Sequence, residues 1–229
     1  MIVQIYSMTS VADAVACAEA GAAMIGVVVA EPGVVPEGIG AGAAREIMAA
    51  IRPRALGVAL SLADDRDEIC AMAEAVKCDV VHLAAREIEP EDCAWIRARI
   101  APIRILRAIG VRAGETLAEA EAHQTCADYL MLDSGAKGPR LAGAIAETHD
   151  WAISRTIVQR SRIPVILAGG LSAENVAQAI ATVQPWGVDS FTHTDLPGSR
   201  GKKDPLRVRA FIAAALRGFA TLIDPAAPS

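Results

Sequence analysis

The sequence predicts a single (βα)8 barrel of the TIM type, an α/β fold, on three observations. Short apolar, β-branched runs alternate with longer Ala- and Glu-rich stretches from one end of the chain to the other. The units are evenly spaced over roughly 220 residues, and no G-x-G-x-x-G turn follows the first run, as an open dinucleotide-binding sheet would prefer. Aromatic residues supply only 3% of a chain that is 53% hydrophobic. The core must therefore be built from Ala, Val, Ile and Leu, which suits continuous buried strands under Ala-rich helices.

In chain order, a strand over 2–6 precedes a helix over 11–20, and a strand over 24–29 precedes a helix over 41–51. Strands over 55–60 and 79–83 lead into helices over 66–76 and 91–100. Strands over 103–107 and 129–132 lead into helices over 115–123 and 150–160. The last two pairs are 164–168 with 173–182, and 187–190 with 205–216. Ser172 stands where an N-cap belongs, and Asp204-Pro205 sets proline at a first helical position. No composition break or Ser/Gly linker divides the chain, so one domain over 1–220 is expected, with 221–229 as a C-terminal tail.

A net charge of −5 argues against a nucleic-acid or membrane-surface partner, since both repel an acidic protein. The start, MIVQIYSMTS, has no basic n-region, and no apolar run approaches the ~18 residues of a membrane span, so a cytoplasmic protein is expected. Five scattered cysteines without CxxC spacing read as buried reduced thiols, not as a disulfide framework or zinc site. Ala-rich outer helices suit helix packing and subunit packing equally, so monomer and homodimer both fit.

In such a barrel, function gathers at the loops that follow the strands. The strand ends carry Tyr6-Ser7, His82 with Arg86 beyond it, Arg107, Asp133, Gly169-Gly170 and Asp189. The stretch ILAGGLSAENV is the strongest local signal. Adjacent glycines let backbone amides approach an anion, and the loops after strands seven and eight commonly bind phosphate. The same glycines also suit a tight turn. Thr192, His193 and Thr194 in the following loop favour the anion. Asp133, closing the apolar run YLML, suits either general acid–base work at the barrel mouth or an ion pair with a residue such as Arg107. The Gly-rich segment 134–148 reads as a lid or as a surface loop. His82 points into the barrel or toward a helix and suits a satisfied core position. Lys202-Lys203 suits an anion site or a solvated basic turn.

Over nearly the whole chain, the sequence resembles the N-(5′-phosphoribosyl)anthranilate isomerases. The resemblance rests on S-x-x-D-A (10–14), EAGAAMIGVV (19–28), LRAIGV (106–111), LMLDS (130–134), Gly143 to Asp150-Trp151, LAGGLSAENV (167–176), and GVDS followed by PGSRGKKD. It implies a metal-free and cofactor-free Amadori rearrangement of a small phosphorylated substrate, an aminoaldose becoming an aminoketose. It further implies Asp133 as general acid and a phosphate site at Gly169, Gly170, Thr192, His193 and Thr194. The family's base is a cysteine in K-I-C-G, which here reads Gln4-Ile5-Tyr6-Ser7. Tyr6 takes the position of the base, and Ser7, His82 and Arg107 are the expected substrate contacts. A phenol with a pKa near ~10 is a poor base unless that value is strongly lowered. The basic residue after the second strand, which holds the anthranilate carboxylate in the family, is absent from AEPGVVPEG (30–38). Three readings follow: the family's own isomerase, an enzyme of another sugar phosphate or phosphorylated sugar acid, or a non-catalytic phosphate-ligand binder.

Overall fold

The computed structural model describes residues 1–31, 33–112, 116–134 and 150–223. The segment proposed as a lid, from 135 on, and the last residues of the chain lie outside them. Eight parallel strands of the described residues form the barrel: β1 (Ile2–Ile5), β2 (Met24–Val29), β3 (Leu56–Ser61), β4 (Val80–Leu83), β5 (Arg104–Gly110), β6 (Tyr129–Asp133), β7 (Val165–Leu167) and β8 (Gly187–Ser190). Each pairs with its sequence neighbour, and β1 pairs with both β2 and β8, which closes the ring.

The helices are α1 (Val11–Glu19), α2 (Ala41–Ile51), α3 (Arg66–Val76), α4 (Pro90–Ile100), α5 (Thr116–His123), α6 (Trp151–Arg160), α7 (Val176–Val183) and α8 (Pro205–Ile223). Their starts follow local chemistry. Ser10 accepts from the Asp13 amide at α1, and Asp65 accepts from the Asp67 and Glu68 amides at α3. Asp204 does the same for Leu206 ahead of Pro205 at α8. Ser172 does not cap α7. It closes a turn one step earlier, and the helix begins only after Asn175. The last helix runs to Ile223, into the stretch expected as a tail.

The alternation of strand residues sorts the core into two layers. Val3, Ile5, Ile25, Val27, Val81, Ile105, Leu130, Leu132, Leu167 and Val188 face outward under the helices. Met24, Val28, Val58, Leu60, Val80, Leu106, Tyr129, Met131 and Ile166 fill the barrel interior with Tyr6. Chain parity therefore decides, strand by strand, which polar side chains reach the mouth. All five cysteines are buried free thiols.

Two additions sit on the C-terminal face. A short strand, Gly38–Ile39, extends the sheet beside β2. After β8, a 3-10 turn (Thr192–Thr194) leads into a hairpin of Asp195–Leu196 with Ser199–Lys203. The hairpin reaches back to the start of the barrel: Thr9 Oγ1 donates to the Gly201 carbonyl at 2.8 Å, and Arg200 pairs with Glu37 at 3.0 Å.

Candidate active site

Tyr6, just past β1, points inward. Its ring lies so close to β2 that a Cβ on Gly26 would stand 2.4 Å from it, so glycine there makes the space. The phenol meets His82 Nδ1 at 2.8 Å, and the two rings are edge-on with centroids 5.5 Å apart. His82 is an inward residue of β4, between Val80 and Ala84 of the interior layer. Burial, helped by the Arg107 charge, brings its pKa down to about 3, so the imidazole is neutral. Burial first, then the Asp189 carboxylate, pushes the Tyr6 phenol well above its ordinary value. Both shifts leave the two groups neutral, joined by one hydrogen bond whose direction follows the imidazole tautomer. The expectation of Tyr6 as base is corrected by this, because a phenol that holds its proton more tightly than in water cannot accept one at neutral pH. His82 Nε2 is buried with no hydrogen-bond partner among the described residues, so His82 is not the satisfied core residue its strand suggests.

Ser7 follows with φ 54°, a left-handed conformation rare for residues other than glycine. Its Oγ is buried, next in the chain to Tyr6, and has no hydrogen-bond partner among the described residues.

Asp133 ends β6 with its side chain inward and 6% exposed. The Ser134 amide donates to Oδ1 at 2.6 Å and the Ser134 hydroxyl at 3.1 Å. Burial outweighs these bonds and raises the carboxyl above the usual range. A carboxyl of raised proton affinity is thus set at the mouth.

Arg107 is not at this site. β5 runs past it to Gly110, and Leu106 and Ala108 take the inward positions, so Arg107 points outward beneath the helices at 1% exposure. There its guanidinium donates to the carbonyls of Leu83 at 3.1 Å and Ala85 at 2.8 Å, and approaches Glu119 at 3.7 Å. It contacts neither substrate space nor Asp133.

Gly169 and Gly170 leave β7 with φ 82° and 63°, conformations that glycine adopts without strain. The loop is held from behind: Asn175 Nδ2 donates to the Gly170 carbonyl at 2.9 Å, and Asn175 Oδ1 accepts from the Ser172 amide at 2.8 Å. Ser190 Oγ donates to the Leu171 carbonyl at 2.9 Å. The amides of Gly169 and Gly170 make no hydrogen bond to the described residues, which leaves them available to an anion. Thr192 and His193 are half-buried in the neighbouring turn.

Thr194 does not belong to the exposed set. Its amide and hydroxyl both donate to the Phe191 carbonyl, at 3.1 and 2.7 Å, and its hydroxyl accepts from Lys203 Nζ at 3.3 Å. Neither donor is left for a ligand, so Thr194 builds the turn instead of binding in it. Lys203 is likewise no free cation. Its ammonium is buried against Asp195 Oδ1 at 2.5 Å and the Phe191 carbonyl at 3.2 Å. Arg200, the other cation of the hairpin, lies over the Phe191 ring at 4.9 Å and on Glu37.

Reasoning from the sequence assigned no role to two interior groups, Gln4 and the strand-end Asp189. Gln4 and Asp189 pair in register between β1 and β8, both point inward, and both are buried. Both Gln4 side-chain atoms and Asp189 Oδ1 lack hydrogen-bond partners among the described residues. A lone carboxylate in an apolar strand, the pattern that exposed Asp133, also marks Asp189 in GVDS.

The family described as N-(5′-phosphoribosyl)anthranilate (PRA) isomerase matches residues 3–214. The N-(5′-phosphoribosyl)anthranilate isomerase of Methanocella arvoryzae is 34% identical over 92% of this chain and 95% of its own length. That of Pseudomonas fluorescens is 35% identical over 92% and 96%. Among solved structures, the phosphoribosyl anthranilate isomerase of Thermotoga maritima superposes with a TM-score of 0.80 at 28% identity, covering 95% of this chain and 100% of that one. A structure of such an isomerase with reduced 1-(o-carboxyphenylamino)-1-deoxyribulose 5-phosphate gives a TM-score of 0.78 at 27% identity, covering 95% and 100%.

Proposed function

The chain belongs to the N-(5′-phosphoribosyl)anthranilate isomerase family, and from that membership we propose that it converts this aminoaldose phosphate into the corresponding aminoketose phosphate in tryptophan biosynthesis. The observation that carries the reading is Asp133: an inward, buried carboxyl with a raised proton affinity at the barrel mouth. As general acid it protonates the ring oxygen and opens the sugar, a role that suits a carboxyl of raised proton affinity. Gly169 and Gly170 offer the phosphate amides that no described residue engages, with Thr192 and His193 in the turn after β8 as further contacts. Tyr6, locked to His82, serves as a fixed neutral hydroxyl near the substrate, and Ser7 Oγ offers a further hydrogen bond. No cofactor or metal has a part in this chemistry. The reading sets the protein in the cytoplasm, as a monomer or homodimer acting on a small phosphorylated substrate.

One observation favours a second reading, an aminoaldose phosphate without the aromatic carboxylate. The β2 exit carries Glu37, and the nearby Arg200 is already committed to it at 3.0 and 3.1 Å. Turnover of freshly generated phosphoribosylanthranilate beside an aminoaldose phosphate lacking the carboxyl group separates the two. Preference for the first supports the family's own reaction, and preference for the second replaces it.

A further inference from the structure

An Amadori isomerisation needs a group that takes the C2 proton, and the position expected to supply it does not. Tyr6 holds its proton against a neutral His82. His82 Nδ1 is occupied by that bond, and no hydrogen bond joins Ser7 Oγ to any base among the described residues. One more ionisable side chain faces the same interior. Asp189 projects inward from β8, 7% exposed, and its Oδ1 has no hydrogen-bond partner among the described residues. Leu132 pairs with Leu167 and Leu167 with Val188, so the next residues along, Asp133, Ala168 and Asp189, stand side by side across β6, β7 and β8. Two strand spacings of about 4.8 Å put roughly 10 Å between the outer backbones, and the barrel's curvature draws the inward carboxyls closer. The residue between them contributes only a methyl group. The two carboxyls thus flank the Ala168 position on the interior wall at the C-terminal end of the barrel.

We propose that Asp189 is the base of this isomerase and forms with Asp133 a two-carboxyl acid–base pair; the assignment rests on the isomerase reading above. The C1–ring oxygen bond breaks as Asp133 gives its proton to that oxygen and the nitrogen lone pair forms the C1–N double bond. Asp189 takes the C2 proton. The C2–H electron pair becomes the C1–C2 double bond, and the C1–N π pair returns to nitrogen. The C2 hydroxyl then becomes the carbonyl, its proton passing to the Asp133 carboxylate, while Asp189 delivers its proton to C1. Both carboxyls end as they began, and no oxidant or reductant enters. Burial first and then Asp133 raise the Asp189 carboxyl above its ordinary value, which makes its ionised form the stronger base.

The test uses the full chain with three readouts: turnover of phosphoribosylanthranilate, binding of the reduced product analogue, and rescue by formate. Asp189→Asn is expected to lose on the order of 10²–10⁴-fold in kcat while still binding the analogue. Asp189→Ala is expected to regain activity as formate is added, which a merely structural carboxylate would not allow. If Asp189→Asn turns over within about tenfold of the parent protein, the base assignment falls and the isomerase reading stands. Loss of analogue binding in Asp189→Asn also overturns it, by making the residue architectural. If the unaltered protein binds the analogue without turning the substrate over, the isomerase reading fails and the assignment falls with it.

Discussion

Replacing Lys203 by methionine removes the cation that ties the phosphate-side turn to the hairpin behind it. In the native protein the ammonium is 2% exposed and donates to Asp195, the Phe191 carbonyl and the Thr194 hydroxyl. Methionine keeps most of the volume but leaves Asp195, itself 6% exposed, as an uncompensated buried charge. Breaking a buried pair from one side costs about 3–5 kcal/mol. Asp195 Oδ2 retains the Gly201 amide at 3.0 Å, which sets the expectation at the lower end, about 3 kcal/mol. Against a total stability of about 5–15 kcal/mol that is a large fraction. With a urea dependence of about 2–3 kcal/mol per molar, the unfolding midpoint should fall by about 1–1.5 M. Adding Asp195→Asn, which removes the stranded charge but keeps an acceptor for Gly201, should recover at least half of the loss. Because Thr192 and His193 ride on the same turn, KM for the phosphorylated substrate should rise more than kcat falls. A midpoint unchanged in Lys203→Met, or a double variant less stable than the single one, would refute this account of the loop.

Tyr6→Phe removes the hydroxyl from His82 Nδ1 and should cost about 1 kcal/mol in urea unfolding. It should lower kcat by less than tenfold, whereas a loss in the 10²–10⁴ range would restore Tyr6 as base. Arg107→Met abandons two carbonyls outside the barrel and should destabilise by about 1.5–3 kcal/mol with KM unchanged; a raised KM with stability intact would return Arg107 to the site. Asp133 and Asp189 both bind protons more tightly folded than unfolded, with burial the first cause in each. Their contribution to stability is therefore complete below the ordinary carboxylate value of about 4 and is lost as pH rises through the raised folded values. The Asp133→Asn/Asp189→Asn double variant should gain stability relative to the parent between about pH 5 and 8, and parallel urea midpoints across that range would contradict the shifts.

Fold and register were legible because a parallel barrel writes itself as uniform apolar runs, and α2 and α3 fall on their predicted spans. Strand β5 was read too short: Ala108-Ile109-Gly110 contains no feature that separates strand from loop, so Arg107 seemed to end it. That single shortening put an outward residue at the mouth, although Leu106 and Ala108 on either side carry the inward parity. Asp133, Gly169 and Gly170 were legible as polar or flexible residues ending apolar strands. Asp189 was legible as a strand end by the same rule, whereas Gln4 lies inside β1 and its inward placement follows from strand parity. Lys203 was read with Lys202 as an anion site or a solvated basic turn, and its burial was not legible, since its partners Phe191 and Asp195 lie behind a hairpin that local sequence does not announce. Burial of that ammonium is a tertiary fact, and so is the Tyr6–His82 bond, which joins residues 76 positions apart.

The central claim is that this barrel is an isomerase whose acid is Asp133, and one measurement tests it most directly: turnover of freshly generated phosphoribosylanthranilate, followed by fluorescence, for the parent protein and Asp133→Asn side by side. The account predicts turnover by the parent protein and a loss on the order of 10²–10⁴-fold in a folded Asp133→Asn protein. Equal turnover by the two, or none by a folded parent protein, would contradict it.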